Sequence, residues 1–319
     1  MDFERLKKRI EGCYITVPTM FRDPELEVDL VATRRNVAFL LEHGITEKYG
    51  TLLAGGAAGD FSTMTFEERV GVAAAVVEAA DGRLPVAMGA QTTSTLELRR
   101  LAKAARKVGA ELIQVSCPFY FTHTEDDFFA YVAEAAAAAD IGIIIYNTFW
   151  TSAAVSFRTV ERLVEIPNVV ALKWACPRTD AMEFEDVIAS FAGRLTVIDN
   201  HLQFATSHML GARAFEVHLC NYWPEWGIKL IGDLEAGRYV AVQRALVREA
   251  MPFYKLWIEI EKTYTSGDGY LDKLCMELVG LDSSRCRPPT RDIRQGYRER
   301  ARQMLIESGA PRVVAERIG

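Results

Sequence analysis

The amino-acid sequence predicts a (β/α)8 barrel, the TIM-barrel architecture, followed by a C-terminal helical extension. Three observations predict it. Short apolar runs alternate with longer stretches of helical period, the alternation repeats eight times, and the chain of 319 residues is long enough for a barrel of about 250 residues plus an appendage. An eightfold βα repeat marks a closed parallel barrel rather than an open sheet.

In chain order the apolar runs are CYITVPT (13–19), TLLAGGA (51–57), LPVAMGA (84–90), LIQVSCPF (112–119), IGIIIYN (141–147), NVVALKWA (168–175), LTVIDN (195–200) and AFEVHLC (214–220). Amphipathic stretches such as LVATRRNVAFLLEHG, TFEERVGVAAAVVEAADG and STLELRRLAKAARKVGA lie between them, each closing near a glycine that can stop a helix. After Trp223 the strand-like runs cease, and IKLIGDLEAG, VAVQRALVREAMPFYKLWIEIEK, YLDKLCMELVG and IRQGYRERARQMLIES read as helices. No linker rich in Gly, Ser or Pro divides the chain. The expected organisation is a barrel over 1–225 that carries the active site, with the last barrel helix and the helical extension over 226–319.

Composition narrows the function. With 37 Lys plus Arg against 43 Asp plus Glu, the formal charge of −6 argues against a nucleic-acid partner. Half the residues are apolar and a quarter charged, the balance of a soluble globular protein with a sizeable core. No run approaches the ~18–20 apolar residues that cross a bilayer. The opening MDFERLKKRIEG lacks the apolar stretch of a secretory signal, so a cytoplasmic protein without a membrane partner is expected. Six scattered cysteines form no CxxC pair, and the DNH triplet at 199–201 has no second cluster, so neither a metal nor structural disulfides are expected.

The chemistry is expected at the C-terminal ends of the strands, where alternate residues point into the barrel. In NVVALKWA that alternation puts Val169, Ala171 and Lys173 inside and Val170, Leu172 and Trp174 outside. An unpartnered ammonium in an apolar strand is expensive, and desolvation favours the neutral amine, which is the nucleophile that forms Schiff bases with carbonyl substrates. One strand earlier, Tyr146 falls at the corresponding level, where a phenol can pass protons to and from a carbinolamine. Strand eight places Phe215, Val217 and Leu219 toward the helices and Glu216, His218 and Cys220 toward the barrel; strand four turns Gln114 and Ser116 inward. The glycines of GGAAGDF (55–61) permit close backbone approach, and the successive peptide N–H groups there can hold a carboxylate. The segment lacks the spacing of a nucleotide-binding loop, so no nucleotide or other organic cofactor is expected.

On these residues the chain resembles the dihydrodipicolinate synthase and N-acetylneuraminate lyase family of class I, Schiff-base-forming aldolases. The family's Gly-x-x-Gly-Glu loop is similar to Gly56-Ala57-Ala58-Gly59-Asp60, its Pro-Tyr-Tyr to Pro118-Phe119-Tyr120, and its Tyr-Asn to Tyr146-Asn147. Its strand-six lysine is similar to Lys173 and its late Arg-Pro-Pro to Arg287-Pro288-Pro289. The resemblance implies a barrel with a helical C-terminal part, a homo-oligomer (tetramer or dimer), and imine chemistry on pyruvate or another 2-oxo acid without metal or cofactor. Lys173 would form the imine and Tyr146 would shuttle the proton. Gly56, Ala57, Ala58 and Asp60 would hold the substrate carboxylate, with Tyr120 alongside.

The departures matter as much. Family members that make dihydrodipicolinate carry a Thr-Thr pair where this chain has Ala57-Ala58, and an arginine shortly after Tyr-Asn where it reads Thr148-Phe149-Trp150-Thr151-Ser152. A true dihydrodipicolinate synthase is therefore not expected. Aromatic residues (Phe149, Trp150, Trp174, Tyr222 and Trp223) fall next to strand ends and are candidates to line an apolar pocket. Asp199, Glu216 and His218 are expected to contact the distal part of the substrate. The leading expectation is a lyase acting on a 2-oxo acid, as a pyruvate-type aldolase or hydratase-aldolase with a hydrophobic or aromatic substrate portion. The alternatives are a dehydratase of a 2-oxo-3-deoxy sugar acid, which the Gly-Gly and Asp-Phe ends of the loop resemble, and an inactive barrel that binds a metabolite.

Overall fold

The computed structural model describes residues 1–148, 155–175 and 181–314. Eight parallel strands close into a barrel: β1 (Gly12–Val17), β4 (Gly50–Ala54), β5 (Val86–Gly89), β6 (Leu112–Ser116), β7 (Gly142–Thr148), β8 (Val169–Ala175), β9 (Thr196–Asp199) and β10 (Ala214–Glu216). They follow one another around the ring in chain order, and β10 pairs with β1 to close it. A two-stranded ribbon, β2 (Phe21–Arg22) with β3 (Glu27–Val28), sits after β1. The expected (β/α)8 barrel is therefore present.

The connecting helices are α2 (Leu30–Glu42), α3 (Phe66–Ala80), α4 (Thr95–Val108), α5 (Glu125–Ala138), α6 (Phe157–Leu163), α7 (Ala181–Phe191), α8 (Phe204–Leu210) and α9 (Pro224–Glu235); α1 (Phe3–Arg9) precedes the first strand. Polar caps start several of them. Thr65 and Glu68 form a reciprocal capping box on α3, Thr124 and Asp127 do the same on α5, and Gly109 ends α4 in the left-handed conformation.

Two apolar layers follow from the alternation of the strands. The outer layer joins strand residues such as Ile15, Ile113, Ile145, Leu172 and Trp174 to the helices. The inner layer fills the bottom of the barrel with Tyr14, Leu53, Ala87, Leu112, Ile144, Val170, Ala171 and Ile198, and Leu6 and Ile10 join it from the N-terminal segment. One strand breaks the expected alternation. Ile143 pairs with Val169 but Ile144 pairs with Ala171, so a bulge in β8 leaves Val170 as the extra residue. Val169 consequently joins the outer layer and Val170 the inner one, the reverse of the expectation, while Ala171, Leu172, Lys173 and Trp174 keep theirs.

The C-terminal part is helical: α10 (Tyr239–Ala245), α11 (Met251–Thr263), α12 (Tyr270–Leu278) and α13 (Arg294–Ser308). It is packed onto the barrel mouth. Lys273 of α12 reaches Asp60 in the loop after β4, with Nζ to Oδ2 at 2.6 Å and both side chains buried. Gly269 lies so close that a Cβ there would stand 2.3 Å from the Ala58 carbonyl oxygen. Arg287 bridges further, donating to the carboxylate of Glu68 and to the carbonyls of Leu26 and Thr63.

Removing one partner of a buried ion pair strands the other charge. Lys273→Met should lower the unfolding free energy by about 3–5 kcal/mol in urea titrations. A loss below about 1 kcal/mol, the value of an exposed pair, would show that Asp60 and Lys273 do not hold the extension to the barrel.

Candidate active site

Lys173 and Tyr146 are register partners on β8 and β7, so their side chains enter the barrel at one level. Lys173 is buried, with its Nζ 4.6 Å from the Tyr146 ring centroid and 5.0 Å from that of Tyr14 on β1. It is not alone. Glu216, at the end of β10, places Oε2 2.7 Å from Nζ, and both side chains are about 95% buried. The amine expected to stand unpartnered in an apolar strand therefore has a carboxylate partner.

Glu216 itself is held from β1, where the Thr16 hydroxyl donates to Oε1 at 3.0 Å. Oε2 accepts no aligned hydrogen bond, because the lysine nitrogen approaches it off-axis. The expectation that Glu216 contacts the distal part of a substrate is not met; this carboxylate lies against the Lys173 amine. Tyr14 donates from its hydroxyl to Gln114 Oε1 at 3.0 Å, so the inward turn expected for Gln114 is used to fix a tyrosine.

Asn200 Nδ2 donates to the Tyr146 hydroxyl oxygen at 3.3 Å. Burial pushes the Tyr146 phenol well above its ordinary range, and the nearby charges of Glu216 and Asp268 push the same way, against the hydrogen bonds of Thr148 and Asn200. The group is thus a proton-bearing phenol, suited to donate to an oxygen that gains charge.

A second polar group stands behind this one. His218 leaves the strand in a 3-10 turn (His218–Asn221) and sets Nδ1 3.0 Å from Asp272 Oδ1 on α12. Asn221 Nδ2 donates to the Thr16 carbonyl at 3.0 Å and to Asp272 Oδ1 at 3.4 Å, tying the two groups together. Burial opposes a charge on His218, but Asp272, Asp268 and Glu216 outweigh it and raise the imidazole to about 10. Burial pushes Asp268 up to about 6. His218, Asp268 and Asp272 bring their ligand atoms within 4.8 Å of one another, a spacing a cation could share. The imidazolium already fills that role, and these residues were not predicted from sequence to form such a cluster.

Other expected site residues sit elsewhere. Asp199 turns outward from β9: Oδ1 accepts from the His201 backbone N–H and Oδ2 from the Ser207 hydroxyl, both at 2.5 Å. It ties the turn after β9 to α8 rather than facing substrate, and burial pushes it up to about 6. Asp60 is taken up by Lys273. Cys220 lies in the outer layer, because the strand ends at Glu216 and the alternation ends with it. Trp223 is half-buried at the start of α9 and packs against the outer core, as does the buried Tyr222. Trp174 stacks on Phe184, centroids 6.0 Å apart, also in the outer layer. Tyr120 is 87% exposed, between the exposed Phe119 and Phe121. Phe149 and Trp150 lie outside the described residues.

Gly56, Ala57 and Ala58 form the turn after β4. Gly59 N–H donates to the Gly56 carbonyl and Asp60 N–H to that of Ala57, whereas the N–H groups of Ala57 and Ala58 have no backbone acceptor among the described residues. Sequence reasoning missed Tyr14, Thr16, Asn200, Asp268 and Asp272. The alternation of CYITV carries the signal for Tyr14 and Thr16; the tail residues have none, because their contacts span more than 50 positions.

A buried amine facing a carboxylate and a phenol at the C-terminal ends of barrel strands defines an imine-forming lyase of the class I aldolase kind. The comparisons with known proteins agree. The sequence model of the Dihydrodipicolinate synthetase family matches residues 11–308, and the chain belongs to that family, whose members are lyases. It is similar to the 4-hydroxy-tetrahydrodipicolinate synthase of Methanopyrus kandleri (28% identical over 305 residues, 94% of this chain and 97% of the relative). The enzyme of that name from Thermotoga maritima is 26% identical over 303 residues, 93% of this chain and 98% of the relative. Among solved structures it is similar to the chloride-inhibited dihydrodipicolinate synthase of Acinetobacter baumannii complexed with pyruvate, with a TM-score of 0.82 and 24% identity over 94% of this chain and 99% of that one. The prophage protein YagE of E. coli K12, also in complex with pyruvate, matches with a TM-score of 0.83 at 20% identity, over 94% and 99%. No helix among the described residues is long and apolar enough to cross a membrane.

The His218–Asp272 pair makes a pH prediction. Because the folded-state pKa of His218 lies above its ordinary 6.5, its stabilising contribution is complete below pH 6.5 and is lost as the pH rises through about 10. The stability difference between the wild type and His218→Gln, measured by urea unfolding, should therefore shrink from pH 6.5 to about 10. A difference that stays constant over that range would contradict the pairing.

Proposed function

We propose that this protein is a lyase in which Lys173 captures a 2-oxo acid, pyruvate or a substituted pyruvate, as an imine. The observation that carries the proposal is the placement of the Lys173 amine inside the barrel, between Tyr14 and Tyr146 and against Glu216. The pyruvate complexes of two structurally similar proteins support the substrate class. The iminium acts as an electron sink for the adjacent carbon, so a carbon–carbon bond there can be broken or made. Tyr146 gives the proton to the departing or forming oxygen and takes it back. The free N–H groups of Ala57 and Ala58 hold the substrate carboxylate.

Lysine biosynthesis is not the proposed role, since Ala57 and Ala58 bring no hydroxyl for a proton relay and no arginine follows Tyr146-Asn147 within the next residues. The distal part of the substrate is the less constrained end. Trp174 and Tyr222 turn into the outer core, which weakens the case for an aromatic pocket, and Phe149 and Trp150 carry what remains of it. A second reading, dehydration of a 2-oxo-3-deoxy sugar acid, is favoured by the polar groups near Tyr146, namely Asn200 and Asp268. Both readings use the same imine. The exposed Phe119, Tyr120 and Phe121 are the kind of surface a second copy covers, which supports a homo-oligomer, and a cytoplasmic location fits the composition.

Borohydride reduction in the presence of pyruvate should add the mass of a reduced adduct to the peptide containing Lys173, and Lys173→Ala should show neither adduct nor turnover. Tyr146→Phe should retain the adduct yet lose about 100-fold or more in turnover of the cognate substrate. Adduct on another lysine, or none in the wild type, would contradict the proposal. Pyruvate release against dehydration, measured over a panel of 2-oxo acids, separates the two readings.

A further inference from the structure

We infer that Glu216 is a catalytic residue of the imine-forming step, carrying protons between the Lys173 amine and the substrate oxygen; the inference rests on the imine reading above. The amine must lose protons before and after it attacks, and the substrate oxygen must gain two to leave as water. Of the groups around Lys173 Nζ, Glu216 Oε2 stands at 2.7 Å, a separation across which a proton passes once a small turn of either side chain aligns the pair. The two phenol rings lie at 4.6 and 5.0 Å by their centroids; the Tyr14 hydroxyl donates its proton to Gln114, and the Tyr146 hydroxyl, which accepts from Asn200, keeps its proton for the substrate oxygen of the carbon–carbon step. The loop that faces the substrate carboxylate offers only methyl groups at positions 57 and 58.

The carboxylate is built for this task. Thr16 fixes Oε1 and leaves Oε2 without an aligned donor, so one oxygen anchors the group while the other is free to bind a proton. Thr16 is itself tied through its carbonyl to Asn221 and so to Asp272. A structural carboxylate this deeply buried normally has its acceptor capacity filled by hydrogen bonds.

The protons and electrons balance. Glu216 takes one proton from the ammonium, and the nitrogen lone pair forms the N–C bond to the ketone carbon while the C=O π pair moves to oxygen. The protonated Glu216 gives its proton to that oxygen. It then takes a second proton from the carbinolamine nitrogen and delivers it to the hydroxyl, the C–O bond breaks with release of water, and the nitrogen lone pair closes the C=N bond. Glu216 ends as the carboxylate, two protons have passed from nitrogen to water, and nothing is oxidised or reduced. In the product, the carboxylate lies beside the iminium charge.

The test is the rate of imine formation with pyruvate, trapped by cyanoborohydride and read by mass at Lys173, compared with the amount of imine at equilibrium. Glu216→Gln is isosteric and can still accept the Thr16 hydrogen bond. It should slow trapping by about 100-fold, the usual worth of a positioned proton carrier, with a much smaller change in the equilibrium amount. Glu216→Ala should be slow as well, and added formate should speed it, since a small carboxylic acid can occupy the vacated space. The inference is overturned if either variant forms the imine at the wild-type rate, or if the slowing is matched by an equal loss of imine at equilibrium, which would mark a charge partner and not a carrier. A wild type that forms no adduct with pyruvate would instead overturn the imine reading, and this inference with it.

Discussion

The contact between the Lys173 amine and the Glu216 carboxylate is the constraint on which the rest of the site depends. Two charged groups this deeply buried are tolerated only when they face one another, and the barrel achieves this by placing them on neighbouring parts of the ring, β8 and β10, separated by β9. Tyr14 and Tyr146 then present ring faces toward the cation, which adds favourable electrostatics without a further charge. Below them the barrel is filled by apolar side chains, so the polar groups are confined to its upper end.

The helical extension completes the mouth. Its loop carrying Gly267, Asp268 and Gly269 crosses the turn after β4, and α12 supplies Lys273 to Asp60 and Asp272 to His218. Acidic residues from the tail thereby bear on the barrel chemistry: the charge of Asp268 acts on both Tyr146 and His218. Barrel and extension share polar contacts at the mouth, although the tail contributes none of the strands.

Much of this was legible in the sequence, and what was missed has physical causes. The eightfold repeat and the alternation within NVVALKWA and IGIIIYN were sufficient to bring Lys173 and Tyr146 to one level, because a parallel barrel fixes both register and facing. The same rule misassigned Val169 and Val170, since a single bulged residue reverses facing without leaving a mark in composition. It misplaced Cys220, because β10 ends at Glu216, sooner than the apolar pattern does, and the chain turns into a 3-10 helix. The pairing of Glu216 with Lys173 requires knowing that both point inward at the same height, which alternation on β10 suggests but does not fix. The partners of Asp60 and His218 lie in the tail, and no local pattern announces a contact made across such separations.

The most direct measurement is a crystal structure of the protein soaked with pyruvate. The account predicts continuous density between Lys173 Nζ and the C2 carbon of pyruvate, with Glu216 and Tyr146 oxygens within roughly 2.6–3.2 Å of the atoms that exchange protons. A free lysine with pyruvate bound elsewhere, or a Glu216 side chain turned away from the nitrogen, would contradict it.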